Sequence, residues 1–575
     1  MLQQLIYFIY VSFVCITWGF PFIALTKKNK TSIFEINPEF IIYSFFSGIV
    51  LTSFIAVCLS LITPLKYFYL PIFTLIPLTA GLFILSKSRV NFLLFKNTKL
   101  STQTVSLSIF LLALFFLSFS LGSNHPVMED MDLYHLQIIR WNLEYGTVPG
   151  VANLYLRYGF YSNWLFDIAL FKLPFNNDNF LYLNISICIW FGLFLVNKIK
   201  DHTEKQKELK HRFFSILYFC ILTFCLLEWK LFRGSSSSTS YDFPVTVFML
   251  IVLLLITENI IISNSQNPEY LHILMLFSAG AAYFKISGAP IILISFVYLL
   301  ITKQKLKVYA YFSLLILLFT IPFFIKNFIQ SGYFIFPYTY FSFFHPDWQV
   351  PAALMKEHYH YINLYNKYLN TTVTQSMWLA APNNKWISGW LSRQTLYDYL
   401  LIIVVSLSIP FYLLVNRKSI LNKKVLLIYL TCLAALIAWF FSSPDPRFAY
   451  GLLLFTGFII PALFISKFLS FPKLITLLLI FSIPVFIYAF KKIKPNFTIQ
   501  PAGILKPTLN TIIINNSKYY IPEKLEKNWN SRCYYSELPC IYEINPYLEQ
   551  RTELIKDGFR MKPIRDTAFI VNYRY

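Results

Sequence analysis

Runs of roughly twenty apolar residues recur along this chain, and each confines its own stretch of backbone. The first is MLQQLIYFIYVSFVCITWGF. Hydrocarbon offers no water to an unpaired N–H or C=O, so such a run must bond to itself as a helix. About twenty residues suffice to cross a bilayer. The runs fall near 2–25, 40–62, 67–86, 103–122, 178–197, 213–229, 244–262, 270–285, 287–302, 308–326, 396–415, 424–442, 448–466 and 472–490. They predict an all-α polytopic membrane protein of about fourteen helices, some near the lower length limit. The pair within 270–302 reads as two helices or as one bent helix, and the second choice inverts everything after it. A spanning barrel would show short alternating segments, and none stands out. The first run lacks a basic leader and a small-residue cleavage site, so it reads as a retained helix.

Charge then orients the chain. Lys and Arg number 49 against 27 Asp and Glu, a net +22, yet only 13% of residues are charged. Basic loops on one side of a membrane explain that excess better than a nucleic-acid partner does. Lys27, Lys28 and Lys30 form one cluster, and Lys87, Arg89, Lys96 and Lys99 another. KIKDHTEKQKELKHR (198–212), Lys303, Lys305 and Lys307, and Arg417, Lys418, Lys423 and Lys424 follow. With fourteen helices all of these are cytoplasmic. The N-terminus, the loops 123–177 and 327–395, and the C-terminal tail lie outside. KKIK (491–494) is the one cluster on the wrong side. The expected divisions are membrane helices at 1–102, a membrane core at 103–492 and a small soluble domain at 493–575.

In a chain so poor in acid, MEDMDLYHLQIIRW (128–141) gathers Glu129, Asp130 and Asp132 with Tyr134, His135 and Arg140. Leu133, Leu136, Ile138, Ile139 and Leu143 mark the apolar side of an amphipathic helix lying along the interface, with Asp132, His135 and Arg140 towards the other. Acid at its start suits the helix dipole, which is the plain structural reading. The order of features suggests more. An apolar helix leads to Glu-Asp, with Tyr134 four residues after Asp130. An interfacial helix, the turn YGTVPG and RYGFYSNWLFDIALF follow. This arrangement resembles the first extracytoplasmic loop of the GT-C superfamily of membrane glycosyltransferases, with Met131 where many members have Glu. The combination DMDLYHLQ…EYGTVPGVANLYLRYGF, and the tail around CYYSELPC, is similar to an uncharacterised group of bacterial multi-pass proteins near that superfamily.

The resemblance implies a GT-C-like fold and transfer of a sugar from a polyprenyl-phosphate donor. The acceptor would be an envelope glycan, lipid or protein on the outer face of the bacterial cytoplasmic membrane. Such a transfer needs a base for the acceptor hydroxyl, and Asp130 is the choice. Glu129 and Asp132 stand behind it, to position substrate or help hold a divalent cation. No cofactor is certain. Tyr134 and His135 are expected at the substrate, His135 either orienting Asp130 or satisfied on its helix.

The leaving phosphate calls for cations. Lys285, in SAGAAYFKISGAP, lies between two apolar runs, where an ionisable group marks a candidate site. A lysine snorkelling to the headgroups is the equal alternative. Arg447, in SSPDPRFAYG, resembles the Pro-x-x-Arg approach to a late GT-C helix and suits a phosphate. A local ion pair with Asp445 competes with that role. Asp130, Lys285 and Arg447 should then meet at one cavity.

Asp242, in RGSSSSTSYDF, is a weaker substrate candidate in what reads first as a flexible connector. The loop 327–395 holds His345, His358, His360, Trp348, Trp378, Trp386 and Trp390. Interface anchoring is the preferred reading for most of its aromatics, ahead of sugar binding. His358 and His360 give only a weak metal signal. Cys533 and Cys540 make a disulfide if the tail is extracytoplasmic, and free thiols otherwise. Two other functions compete: a polysaccharide polymerase or ligase, and a lipid-linked glycan flippase, which would favour mid-helix charges and repeated halves.

Overall fold

The structure, a computed structural model, describes residues 2–27, 33–67, 70–86, 89–92, parts of 107–119, 128, 130–160, 162–173, 183–205, 207–227, 235, 237–263, 268–368, 386–414, 423–468, 507–523 and 532–564. Among these, seven helices are long and apolar enough to cross a membrane. They make the chain a multi-pass membrane protein. Four shorter apolar helices accompany them. The predicted run 472–490 lies outside the described residues, and 103–122 falls only partly within them.

Helix α1 (Leu2–Lys27) packs along α2 (Pro38–Ser60). Gly19 and Gly48 permit this: a Cβ at either would stand 1.8 Å from a backbone oxygen of the other helix. Small residues that let backbones approach are how helices associate where lipid removes the hydrophobic drive. The expected span at 67–86 is instead broken. Only α3 (Leu75–Ser86) is of any length, 12 residues, or about 18 Å at 1.5 Å per residue. The helix breaks at the turn of Thr74.

The acidic segment begins with one π-type turn, Met131–His135, that continues into α4 (Leu136–Glu144), and α5 (Asn163–Leu170) packs against α4 and α2. Beyond them α6 (Leu183–Thr203) packs on α7 (Leu209–Leu227). The centre is α8 (Asp242–Glu258), buried at nearly every position. A helix apolar on all sides belongs inside a bundle.

The uncertain pair at 270–302 is two helices, α9 (Pro268–Phe284) and α10 (Pro290–Ile301). They pack together across the turn Ile286–Gly288. That hairpin puts Lys285 at the Asp242 end of the bundle. A long, largely uncovered α11 (Leu306–Ser331) follows, then α12 (Ala352–Tyr368). Three apolar helices complete the bundle: α13 (Leu396–Leu414), α14 (Lys423–Ser442) and α15 (Tyr450–Phe468). Helix α15 packs against α7, α8 and α13.

The chain is not purely helical. Strands β1 (Ile33–Ile36) and β2 (Arg89–Phe92) pair in parallel. The tail forms two antiparallel hairpins, β3 (Leu509–Ile514) with β4 (Ser517–Pro522), and β5 (Leu548–Gln550) with β6 (Phe559–Met561). Asn515 and Asn516, both at positive φ, make the two-residue turn of the first, a conformation that asparagine tolerates. Cys533 and Cys540 are disulfide-bonded. This module docks on the acidic loop. Phe559 N donates to Pro149 O at 3.0 Å, and Asn153 Nδ2 donates to Phe559 O at 3.2 Å. Gly150, at φ 63°, allows the approach, since a Cβ there would lie 2.0 Å from Phe559 O.

Candidate functional site

The turn that begins the acidic segment is not capped by Asp130, as the plain structural reading of the acid would have it. Its carboxylate instead faces two guanidiniums. Asp130 Oδ2 accepts from Arg447 Nη1 at 3.0 Å, and Oδ1 lies 3.5 Å from Arg157 Nη1. Arg447 rides on the short turn Pro446–Phe448 between α14 and α15. Asp445 builds that turn: its Oδ1 accepts from Arg447 N at 3.1 Å, and its Oδ2 lies 2.9 Å from Arg447 Nε. Arg447 therefore makes both the local pair and the long-range one.

Arg447 Nε also lies 3.8 Å from Asp242 Oδ2. Asp242 occupies the first turn of α8, where the helix dipole favours a carboxylate. Its Oδ1 accepts from Lys285 Nζ at 2.5 Å. Lys285 is extended at the break after α9. Its ammonium sits 3.8 Å from the Phe448 ring centroid and 4.8 Å from that of Tyr241, within the range of cation–π attraction. Asp130, Arg447, Asp242 and Lys285 thus form one chain of contacts from four separate parts of the sequence.

Two side chains of the acidic turn line the same network. Tyr134 OH bonds Tyr241 OH at 2.9 Å. His135 Nδ1 pairs with Thr239 Oγ1 at 2.9 Å, while Nε2 has no hydrogen-bond partner among the described residues. The RGSSSSTSYDF stretch is therefore no mere connector at its described end, since Thr239, Tyr241 and Asp242 all contribute.

The charges balance, three cations against three carboxylates: Arg157, Arg447 and Lys285 with Asp130, Asp242 and Asp445. Burial alone would raise the Asp130 pKa, but Arg447 and then Arg157 outweigh it and hold it at about 2. Burial dominates at His135 and drives it down to about 3, against the pull of Asp130. The imidazole is neutral at pH 7. Burial also lowers Lys285, with Asp242 opposing. Burial would lower Arg447 too, yet Asp445, Asp130 and Asp242 raise it well above its ordinary value.

Asp132 is bound elsewhere. Its Oδ2 lies 3.4 Å from Arg532 Nη1, and its backbone oxygen accepts from Tyr534 N at 3.1 Å. Gln137, fully buried, donates from Nε2 to the carbonyls of Tyr534 and Ser536, both at 3.1 Å. Arg140 Nη1 donates to Tyr535 O at 3.0 Å. Of the expected polar side of the helix, the disulfide loop covers Asp132 and Arg140, while His135 turns to Thr239. Glu129 lies outside the described residues.

Arg157 escaped the sequence reading, although it stands in the LYLRYGF stretch that carried the resemblance. His358 is buried against Phe160, their rings 5.0 Å apart, while His360 is exposed. Two residues apart on α12, they face different ways. Among the described residues no three His, Cys, Asp or Glu side chains are grouped to hold a metal ion. Asp130, Asp242 and Asp445 already face cations, so this donor set does not fit a divalent cation.

An apolar cleft of about 160 Å³ opens between α9, α10 and α11. Tyr283, Ile286 and Ala289, which flank Lys285 in the sequence, line it together with Phe319, Phe323 and Phe324.

The chain belongs to a family described as a domain of unknown function (DUF8201), which matches residues 1–454. That span holds Asp130, Arg157, Asp242, Lys285 and Arg447, and it stops short of the C-terminal module. No curated protein and no solved structure matches the chain.

Proposed function

We propose that this DUF8201 chain is a GT-C-like glycosyltransferase of the bacterial cytoplasmic membrane. It moves a sugar from a polyprenyl-phosphate donor to an envelope glycan, lipid or protein on the outer face. One observation carries the reading: an ionised carboxylate, two guanidiniums and an ammonium converge at one site, and the chain neighbours of its Lys285, Tyr283 and Ile286, line an apolar cleft between helices. An isoprenoid tail suits the cleft, and its phosphate suits Arg447 and Lys285.

At rest Asp130 is a weak base, because both guanidiniums stabilise its charge. A donor phosphate competes for Arg447. As that cation turns to the phosphate, Asp130 regains proton affinity. It then takes the acceptor hydroxyl's proton while the oxygen bonds to the anomeric carbon. The bond from that carbon to the phosphate oxygen breaks, and polyprenyl phosphate leaves with the electron pair. Tyr134 and neutral His135 border the sugar. A flippase is the second reading, favoured by a further buried ionic cluster at the opposite end of α8, where Lys198 lies between Glu39 and Glu258.

The test is sugar transfer by the protein in nanodiscs, with a panel of polyprenyl-phosphate sugars and Asp130→Asn beside the wild type. Transfer lost in the variant, with donor binding kept, supports the base. Transfer unchanged by Asp130→Asn removes Asp130 from the reaction. Donor movement across the bilayer without transfer turns the reading to the flippase.

A further inference from the structure

A strongly uncovered group of aromatic side chains lies in the turn after α11. Tyr340 is 88% exposed, Phe343 72% and Phe344 61%, with Tyr338 and Phe341 also exposed. Gly332 ends α11 in left-handed backbone at φ 81°, and the chain reverses there. Ile335 then lines the cleft beside Thr320, Phe323 and Phe324, and the Phe334 ring stacks on Phe328 at 5.0 Å. Phe323 lies about 12 Å below the helix end, at 1.5 Å per residue. The segment therefore dips back along α11 instead of standing off the bundle.

Helix α11 turns Leu314, Leu317, Leu318, Ile321 and Ile325 outward. Their spacing makes one stripe, which on an apolar spanning helix faces lipid. Phe328 stands three residues beyond Ile325 on that stripe, and the Phe344 ring lies 6.0 Å from it. The other flank of the turn is polar. Asp347 Oδ2 lies 2.9 Å from Arg551 Nε, and that guanidinium sits 4.8 Å from the Trp348 ring centroid. Aromatic rings beside charged groups at the end of a span are the profile of a membrane interface. In water the same rings would form a penalised apolar patch.

We propose that residues 338–344 are a membrane wedge, burying Tyr340, Phe341, Phe343 and Phe344 at the headgroup–acyl boundary of the leaflet on the Asp130 side. The partner is lipid. Ile335, three residues before the wedge, lines the cleft, which puts the wedge close along the chain to where a lipid-borne molecule would enter. Its placement does not depend on the transfer reaction.

Nitroxide labels at Phe343→Cys and, separately, Tyr340→Cys test this in nanodiscs. The same protein without the new cysteine supplies the background, since the free cysteines among the described residues are buried or half-buried. Power saturation compares access to oxygen, which enriches in lipid, with access to a water-soluble nickel chelate. The expected result is oxygen access several-fold above nickel access at both positions. Nickel access above oxygen access puts the turn in water and overturns the proposal. Low access to both means that protein covers it, a second copy or another chain, and overturns it equally. Agreement between the two positions guards against a local distortion by one label.

Discussion

Asp130 is held as an anion by Arg447 and Arg157, and its neighbour His135 is held neutral by burial. Both groups therefore lose stability in acid, over different ranges of pH. The folded-state pKa of His135, about 3, lies below its ordinary 6.5. Between those values the unfolded chain binds the extra proton, so stability is full above about pH 6.5 and falls as pH drops towards 3. The loss is at most about 5 kcal/mol. We expect His135→Gln to flatten that acid limb, whatever it does at pH 7, in unfolding measured in bicelles from pH 7 to 4. An unchanged limb would mean that His135 is not the group that titrates. The Asp130 contribution is present above its ordinary value of 3.8 and is lost only as pH falls towards 2, so between pH 7 and 4 only the His135 limb is read. At this scale the sequence pointed to Lys285 by its place between two apolar runs, and to Asp130 and Arg447 by the acidic cluster and the resemblance of their surroundings to GT-C loops. It was silent on Arg157, because an arginine among tyrosines has no pattern that names its partner 27 residues away.

Helix α8 is the element on which charge is organised at two levels. Asp242 opens it and Glu258 closes it, about 24 Å apart at 1.5 Å per residue. At the Glu258 end, Lys198 Nζ lies 2.8 Å from Glu39 Oε1 and 3.3 Å from Glu258 Oε2. Tyr43 and Tyr270 donate to Glu39, and Tyr218 donates to Glu258. The basic run KIKDHTEKQKELKHR had reckoned Lys198 among its loop charges, but α6 extends to Thr203 and buries it. Lys198→Met should cost about 3 kcal/mol, because it strands two half-buried carboxylates. Adding Glu39→Gln and Glu258→Gln should recover most of that in thermal unfolding. A single variant as stable as wild type would sink the pairing. The disulfide loop makes the second test at this scale. Cys533→Ser with Cys540→Ser should cost about 2–3 kcal/mol. It should also speed amide exchange across 131–144, since Gln137, Asp132 and Arg140 bond that loop. Exchange confined to 532–541 would show that the loop does not brace the acidic helix.

Over the whole molecule, the α9–α10 hairpin sends Lys285 to the Asp130 end and the Lys303–Lys305–Lys307 group to the other. The C-terminal module docks at the Asp130 end. With basic loops cytoplasmic, Glu553→Cys should react with an impermeant maleimide in intact spheroplasts. Lys207→Cys should react only after permeabilisation. The reverse pattern would move the site to the cytoplasmic face and remove the outer-face transfer reading. The spans were legible because burial in lipid is a local demand: one apolar window of about twenty residues satisfies it without reference to the rest of the chain. The run at 67–86 shows the limit, since it is apolar throughout yet breaks at Thr74 and leaves a helix of 12 residues. The sequence by itself determined that the chain crosses a membrane many times, where its apolar runs lie and that its rare acid gathers beside Tyr134. Only the tertiary structure decided which charges meet. Asp130 and Arg447 stand 317 residues apart, and a buried charge is compensated by whichever partner the packing delivers, which no local pattern encodes.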